Sequence, residues 1–324
     1  MTKIYWFLGH EQFQPEVLVE HAKAVEKAGF DGVMVSEHLQ PWVDDVGSAG
    51  FAFSTLGAIA QATTKIQLLT GVTTPLFRYH PAVVAQAAAT IDRLSNGRFE
   101  LGVGTGENLN EGPLGFSFPD YKERSARITE ALEIMEALLS GEKLTYDGKY
   151  YQTKELKLYS PAINKVPIYL AAGGPKSAIT GAEYSDGIIT SVKDISETIT
   201  NVVKPVEDAG GWDFLRLLAS RWSVYAENDD DAWKALSAWR GLRAPSRATS
   251  TDPKELQDEA DKLVRSDILS KYSRINKITD YVTVYADLIT ELHAETITIQ
   301  TTSLNQLKTI EEVGKNVLPE LRKL

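Results

Sequence analysis

Short apolar runs alternate with segments of helical periodicity along the whole chain. The apolar runs cover residues 4–8, 30–36, 66–72, 98–104, 166–174, 186–191, 214–226 and 295–303, and helical pattern follows each of them. They are rich in Val, Ile and Leu without clean alternation, which is typical of parallel strands buried on both faces. Eight such strands predict a (β/α)8 TIM barrel rather than a doubly wound sheet. We expect residues 1–324 to form one barrel domain.

Two stretches interrupt this alternation. Residues 143–159 alternate apolar and polar positions around Asp147-Gly148, which predicts a β-hairpin with a tight turn. Residues 241–272 are charged and weakly periodic, which indicates an insertion made of helices and loops. The barrel is therefore expected to carry two additions, one before strand five and one in the C-terminal third.

Composition narrows the classes of function. The chain has 324 residues, 43% of them hydrophobic, and carries 34 Lys+Arg against 44 Asp+Glu, a formal net charge of −10. This excess of acid argues against a general nucleic-acid binder, which needs a basic face to release counterions. It does not exclude an anionic small molecule. The absence of cysteine excludes disulfides, thiolate catalysis and cysteine-ligated metals.

The sequence contains no signal for a membrane. No apolar run approaches the roughly 20 residues that a spanning helix needs. The N-terminus lacks the charged, apolar and small regions of a signal peptide. We expect a cytoplasmic protein without a membrane partner.

The end of the second strand carries the sharpest candidate chemistry. Barrel enzymes keep their active sites at the carboxyl ends of the strands. Strand two ends in SEHLQPW, which brings Glu37, His38 and Trp42, and strand one ends with Glu11 nearby. His38 is a candidate general base, because an imidazole with an unperturbed pKa of ~6.5 accepts a proton near neutrality. A histidine that only closes a turn is the alternative.

The later strand ends are rich in glycine and polar residues. Strand four runs into GVGTGE, which brings Glu107, and strand six runs into TSVKD, which brings Lys193. Strand five runs into AAGGP, where Gly173 and Gly174 expose backbone amides at the start of a helix, a cradle suited to phosphate. A solvated glutamate, a solvated lysine and a plain strand–helix turn are the alternative interpretations.

Metal catalysis is not predicted. The five histidines show no metal-ligand spacing with acidic residues. His10, His21, His80 and His293 are interpreted as structural or solvated. No metal ligand is therefore expected.

In their order along the chain, these motifs resemble one known family. GHEQF, SEHLQPW, TTPLFRYHPAVVAQAAATIDRL, GRFELGVGTGENLNE, AAGGP and DGIITSVK resemble the F-420-dependent glucose-6-phosphate dehydrogenases of the bacterial luciferase-like superfamily. The resemblance is dense as far as Lys193 and thin after it. SEHLQPW together with GVGTGENLNE is specific to that family, whereas the glycine motifs alone are not.

The resemblance implies hydride transfer between a sugar phosphate, or another small hydroxylated substrate, and the deazaflavin coenzyme F-420. It implies His38 as the base on the substrate hydroxyl, Glu107 as a proton donor to the coenzyme ring and Trp42 as packing over the reacting centre. The implied coenzyme contacts are Glu37, Gly71, Val72, Asn110, Gly173 and Gly174, with a cis peptide between Gly71 and Val72. The implied substrate contacts are Glu11, Thr190, Lys193 and Lys271.

Three positions depart from the family pattern. Glu37 stands where aspartate is usual, Asp258 falls on a phosphate-binding lysine, and Lys271 falls near an arginine and lacks its bidentate fork. Asp258 would repel a bound phosphate by several kcal/mol, even at an effective dielectric constant of about 20. We therefore expect glucose 6-phosphate to be a weak substrate.

Two other functions fit the same barrel. The runner-up is an FMN-dependent luciferase-like monooxygenase, whose oxygen chemistry would not need the pairing of His38 with Glu107. The third is a carrier or sensor that binds the coenzyme without turnover. The family resemblance also implies a homodimer.

Overall fold

The computed structural model describes residues 1–211 and 216–324 of the chain. Within those ranges, eight parallel strands of a nine-stranded sheet form the barrel: Lys3–Leu8 (β1), Gly32–Val35 (β2), Gln67–Thr70 (β3), Phe99–Val103 (β4), Ile168–Ala171 (β5), Gly187–Ser191 (β6), Arg216–Tyr225 (β7) and Thr296–Ser303 (β8). Each strand pairs with the next, and β8 pairs with β1, so the sheet closes into a barrel. The predicted TIM barrel is confirmed. The predicted start of the seventh strand at Phe214 lies outside the described residues.

Helices surround the barrel. The longer ones are Pro15–Ala28 (α1), Ala52–Ala62 (α2), Pro81–Leu94 (α3), Tyr121–Leu139 (α4), Pro175–Tyr184 (α5), Asp280–Thr290 (α6) and Gln306–Asn316 (α7). Shorter helical segments are Asn108–Glu111, Gly112–Leu114, Ile195–Thr198, Ile199–Val203, Lys204–Asp208, Asp229–Ala235, Ser237–Arg243, Pro245–Ala248, Pro253–Ala260, Arg265–Leu269 and Leu318–Leu321. A short strand that was not predicted, Ser273–Ile275, pairs with the end of β7.

The barrel strands are buried on both faces, as their composition predicted. On β1, Ile4, Trp6 and Leu8 belong to the core between the barrel and its helices. The alternate residues Tyr5 and Phe7 belong to a second core inside the barrel. Successive side chains of a strand point to opposite faces, so an unbroken apolar run supplies both cores at once.

The predicted hairpin is present, with a longer turn than expected. Leu144–Asp147 pairs antiparallel with Gln152–Leu156, and residues 148–151 connect the two strands. The tight turn predicted at Asp147-Gly148 was wrong because Glu130 on α4 organises the connection. Its carboxylate accepts hydrogen bonds from three successive backbone amides of the turn at 2.9–3.2 Å.

The predicted C-terminal insertion is also present, and it lies over the carboxyl ends of the strands. It consists of short 3-10 and α-helices between Ser237–Arg243 and Arg265–Leu269. Gln12, which follows β1, anchors it: the side-chain oxygen accepts hydrogen bonds from Trp239 Nε1 at 3.0 Å and from Thr302 Oγ1 at 2.9 Å. The insertion is therefore fastened to the ends of β1 and β8.

Candidate active site

A cavity of about 550 Å³ opens at the carboxyl ends of the strands. Six of the residues predicted as site residues line it: Gly71, Val72, Glu107, Gly173, Thr190 and Lys193. They come from the ends of β3, β4, β5 and β6. The parallel strands thus bring together side chains that are far apart in the sequence.

The Gly71-Val72 peptide bond at the end of β3 is cis, as predicted. A Cβ on Gly71 would lie only 2.4 Å from Met34 Cγ, so a larger residue at this position would force the Met34 side chain or the backbone to move. Met34, Val72 and Ile189 form an apolar part of the cavity lining. The backbone of β3 therefore packs closely against this apolar surface.

His38 lies between two carboxylates. Its Nε2 is 3.5 Å from Glu11 Oε1 and 3.5 Å from Glu107 Oε2. Trp42 packs against the imidazole with ring centroids 5.0 Å apart. Burial lowers the pKa of His38 to about 4, so the imidazole is neutral at neutral pH. The structure places all three residues predicted to be catalytic next to one another, with Glu11 as a fourth.

Asn110 holds the loop that carries His38. Its Oδ1 accepts hydrogen bonds from the backbone amides of Leu39 at 2.9 Å and Gln40 at 3.3 Å. Its Nδ2 lies 3.3 Å from His38 Nδ1, and the Gln40 carbonyl oxygen lies 3.2 Å from the same nitrogen. These contacts occupy Nδ1 and leave Nε2 as the ring nitrogen that faces the carboxylates. Asn110, predicted as a coenzyme contact, is buried, and its side chain positions the His38 loop.

Glu11 is buried, with 2% of its surface exposed. Ser36 Oγ donates a hydrogen bond to Glu11 Oε2 at 2.6 Å and accepts one from the His10 amide at 2.8 Å. The His10 ring contacts the Ser36 carbonyl oxygen at 2.7 Å and Thr55 Oγ1 at 2.8 Å, which confirms its structural role. Burial raises the pKa of Glu11 from 4.5 to about 7, although the Ser36 hydrogen bond opposes the shift.

We expect Glu11→Gln to stabilise the folded protein at high pH. Between pH 4.5 and about 7 the folded state holds a proton that the unfolded state releases, so the free energy of unfolding falls as pH rises through that window. An amide cannot ionise, so the variant should gain up to about 3 kcal/mol at pH 8 and almost nothing at pH 4. Urea unfolding at both pH values, with the exposed Glu20→Gln as control, measures the difference. An equal effect at both pH values contradicts the shifted pKa.

Glu37 is not part of the cavity lining. Arg78 Nη2 donates to both of its carboxylate oxygens at 2.6 Å, and Arg78 Nη1 pairs with Glu111. The three side chains are at most 5% exposed. Burial opposes the charged guanidinium, but the two glutamates outweigh it and raise the pKa of Arg78. Glu37, predicted as a coenzyme contact, therefore lies in a buried ion triad directly before His38.

Gly173 and Gly174 lie at the N-terminus of α5, where Gly174 is the cap residue and Pro175 the first helical residue. A Cβ on either glycine would meet no atom within 4 Å, so open space adjoins this backbone. Free amides at a helix N-terminus favour an anionic group such as phosphate. The geometry predicted for this segment is present.

Two predicted residues of the C-terminal third lie away from the cavity. Lys271 is exposed and does not line it. Asp258 is exposed on the helix Pro253–Ala260 and pairs with Lys254 one turn earlier. The expectation that Asp258 repels a bound phosphate was wrong, because the weak resemblance in the insertion does not fix which face of a short helix meets the cavity.

Arg243 and Arg247 line the cavity and were not predicted. The Arg243 guanidinium stacks over the Tyr272 ring at 4.5 Å. The Arg247 guanidinium lies 5.8 Å from the centre of the Trp42 ring, and its Nη2 is 3.8 Å from Glu107 Oε1. The sequence signal that could have revealed them is RGLRAPSR, three arginines within one short stretch of the insertion.

Arg240 fastens this stretch to the loop that follows His38. It bridges Asp45 and Asp261 with nitrogen–oxygen distances of 2.7 Å to each. The next residue, Gly241, approaches the loop so closely that a Cβ would lie 1.9 Å from the Trp42 carbonyl oxygen. The arginine stretch and the Trp42 backbone are therefore in direct contact.

Residues 1–211 and 216–324 contain neither a cluster of metal ligands nor a membrane-spanning helix. No group of three His, Asp or Glu side chains in those ranges could hold a metal ion. No helix there is long and apolar enough to cross a bilayer.

Comparison with known proteins gives the family. The family model described as "Luciferase-like monooxygenase" matches residues 2–283. The chain belongs to this luciferase-like family. A curated relative named F-420-dependent glucose-6-phosphate dehydrogenase, from Segniliparus rotundus, is 36% identical and covers 97% of this chain and 96% of its own length.

Two other proteins that the chain resembles differ in the substrate that their names give. An F-420-dependent hydroxymycolic acid dehydrogenase from Mycobacterium tuberculosis is 42% identical over 72% of this chain and 65% of its own length. The solved structure of an F-420-dependent secondary alcohol dehydrogenase, in complex with an F-420–acetone adduct, is 28% identical with a TM-score of 0.90, and the match covers 99% of both chains. Within the luciferase-like family, the chain is thus similar to F-420-dependent dehydrogenases.

Proposed function

We propose that this protein oxidises a hydroxyl group of a small substrate and passes the hydride to coenzyme F-420. The observation that carries the proposal is the position of His38 Nε2, 3.5 Å from a carboxylate oxygen of Glu11 and 3.5 Å from one of Glu107. Oxidation of an alcohol removes a proton from oxygen as the hydride leaves carbon, and a neutral imidazole in this place can take that proton. The similarity to F-420-dependent dehydrogenases supports the choice of coenzyme.

The side chains around His38 can handle both protons of the reaction. His38 Nε2 would accept the hydroxyl proton, and Glu11, once ionised above its raised pKa of about 7, would stabilise the imidazolium that forms. Burial raises the pKa of Glu107, although Arg247 opposes the shift, so this carboxyl group retains a proton more readily than an exposed one. Bound F-420 would supply the hydride acceptor. Glu107 would then deliver its proton to the reduced ring.

The residues present fit a deazaflavin coenzyme. The apolar lining made by Met34, Val72 and Ile189 suits a flat ring, and the open space beside Gly173 and Gly174 suits a phosphate at the start of α5. Glu37 and Asn110 would support the coenzyme site indirectly, because both are committed to contacts with protein groups. The resemblance further supports a homodimer.

The substrate is proposed to be a sugar phosphate or another small hydroxylated compound. Glucose 6-phosphate, hydroxymycolic acid and a secondary alcohol, given in the names of the relatives, differ in size and charge and share an alcohol group. Thr190 and Lys193 line the cavity, where both can contact such a substrate. Lys271 does not line it, so we leave it out of the proposed substrate site.

We expect the protein to bind F-420 at least about tenfold more tightly than FMN, a difference of roughly 1.4 kcal/mol in binding free energy. Parallel titrations followed by the fluorescence of each coenzyme measure it. Gly174→Asp is a matched variant, because a carboxylate at the start of α5 should repel the coenzyme phosphate and weaken F-420 binding. Tighter binding of FMN would contradict the proposal and favour the FMN-dependent monooxygenase.

A further inference from the structure

We propose that Arg243 and Arg247 form an anion-binding subsite that selects substrates with a carboxylate or phosphate group. The inference rests on the proposed hydride transfer at His38 and adds the class of substrate to it. Both arginines line the cavity, and both belong to the insertion rather than to a barrel strand. The subsite is thus separate from the strand ends that the sequence motifs mark.

In the part of the chain that the structure describes, Arg243 has no carboxylate partner, unlike Arg78, Arg221 and Arg240. Arg78, Arg221 and Arg240 each donate to carboxylates at 2.6–2.9 Å. In the described residues, by contrast, no carboxylate pairs with Arg243, and its buried Nε has no hydrogen-bond partner. The half-buried guanidinium keeps its proton, and a buried donor without a partner is costly. A substrate anion would supply the missing partner.

Arg247 brings the second positive charge close to the reacting groups. Its guanidinium lies 5.8 Å from the centre of the Trp42 ring, which in turn packs against His38 with centroids 5.0 Å apart. An anion held by Arg247 would therefore lie only a few bonds from a hydroxyl group presented to His38. Planar guanidinium groups bind carboxylate and phosphate in a bidentate manner, so they also fix the orientation of the substrate.

The end of β6, which also lines the cavity, is less suited to an anion. Lys193 lies there, but Asp194 and Glu197 line the same side and offset its charge. Asp194 accepts a hydrogen bond from the Glu197 amide, which holds its carboxylate in place. Among the described residues, the carboxylate that pairs with either arginine is that of Glu107, 3.8 Å from Arg247. The net positive charge is therefore on the arginine side.

The first experiment measures anion binding without turnover. Inorganic phosphate and acetate are titrated into the F-420 complex of the protein by calorimetry. We expect saturable binding of at least one of them, and a reduction of about 10–100-fold in affinity in Arg243→Gln and in Arg247→Gln, as for the loss of a hydrogen bond to a charged group. Arg265→Gln, an exposed arginine of the same insertion, is the control and should bind like the native protein.

The second experiment compares matched substrates. Glucose 6-phosphate is compared with glucose, and 3-hydroxybutyrate with 2-butanol. We expect one of the charged compounds to have the higher kcat/KM, and both arginine variants to lower that value about 10–100-fold while changing the neutral partner less than about threefold. Arg243→Lys should recover part of the loss, because it restores the charge but not the fork.

The outcomes separate the two proposals. Absence of anion binding, equal affinity in both variants, or equal losses for charged and neutral substrates overturns the subsite. Weaker F-420 binding in the arginine variants overturns it too, since the arginines would then hold the coenzyme. Arginine-dependent phosphate binding without turnover of any alcohol supports the subsite and contradicts the dehydrogenase function.

Discussion

His38→Ala should lower kcat for alcohol oxidation by about 10²–10⁴-fold, the usual contribution of a general base. The imidazole Nε2 lies 3.5 Å from a carboxylate oxygen of Glu11 and 3.5 Å from one of Glu107. Its removal takes away the group that we propose as acceptor of the hydroxyl proton. His38 does not itself line the cavity but lies next to Glu107, which does, so the dissociation constant of F-420 should change less than about threefold. Steady-state kinetics and fluorescence titration measure the two effects.

His293→Asn is the matched control for this experiment. His293 is exposed just before β8, at the opposite end of the barrel, and its φ of 50° is one that asparagine tolerates. The control variant should retain full activity. If the activity of His38→Ala stays within a few-fold of the native protein, His38 is a turn residue and the proposed proton path is lost.

Arg78→Met should destabilise the folded protein by about 3–5 kcal/mol, because it leaves two buried carboxylates without a partner. Glu37 and Glu111 both bind this guanidinium, and the three side chains are at most 5% exposed. The loop that begins with His38 should lose its position as well. Urea unfolding measures the loss of stability, and the activity of the folded fraction reports the position of the loop.

Two further variants distinguish the charge of Arg78 from the packing of its side chain. Lys23→Met breaks an exposed ion pair with Glu20 and should cost less than about 0.5 kcal/mol. Adding Glu37→Gln and Glu111→Gln to Arg78→Met removes the stranded charges and should recover part of the stability. If the single and triple variants are equally unstable, packing of the Arg78 side chain rather than its charge holds the loop.

The barrel could be predicted from sequence because strand burial and helix periodicity are local patterns. The helix Asp280–Thr290 was nevertheless missed, although Tyr281, Tyr285 and Leu288 recur at helical spacing and are buried. It follows a charged insertion whose own periodicity is weak, so the boundary between the two was obscured. The four-residue hairpin turn was missed for another reason: Glu130, which organises it, lies on a different element.

The site was predicted in part: residues within the strand-end motifs were found, and residues of the insertion were not. His38, Trp42 and Glu107 lie at strand ends, where backbone topology alone brings them together. The structural role of Glu37 could not be predicted from the motif, because its partner Arg78 lies far away in the sequence, after the next strand. Arg243 was missed because the face that a short 3-10 turn presents depends on tertiary anchors, which leave no periodic signal.

The contact at Gly241 has a consequence for how this enzyme can change over time. Its Cβ position is occupied by the Trp42 carbonyl oxygen, at 1.9 Å, so any other residue would displace the backbone beside His38. Selection for a new substrate can exchange Arg243 or Arg247 one at a time. Selection cannot reshape the turn that carries them without also moving the loop of Trp42 and His38. New specificities in this lineage should therefore arise by side-chain replacement on an unchanged turn, and Gly241 should persist when the arginines do not.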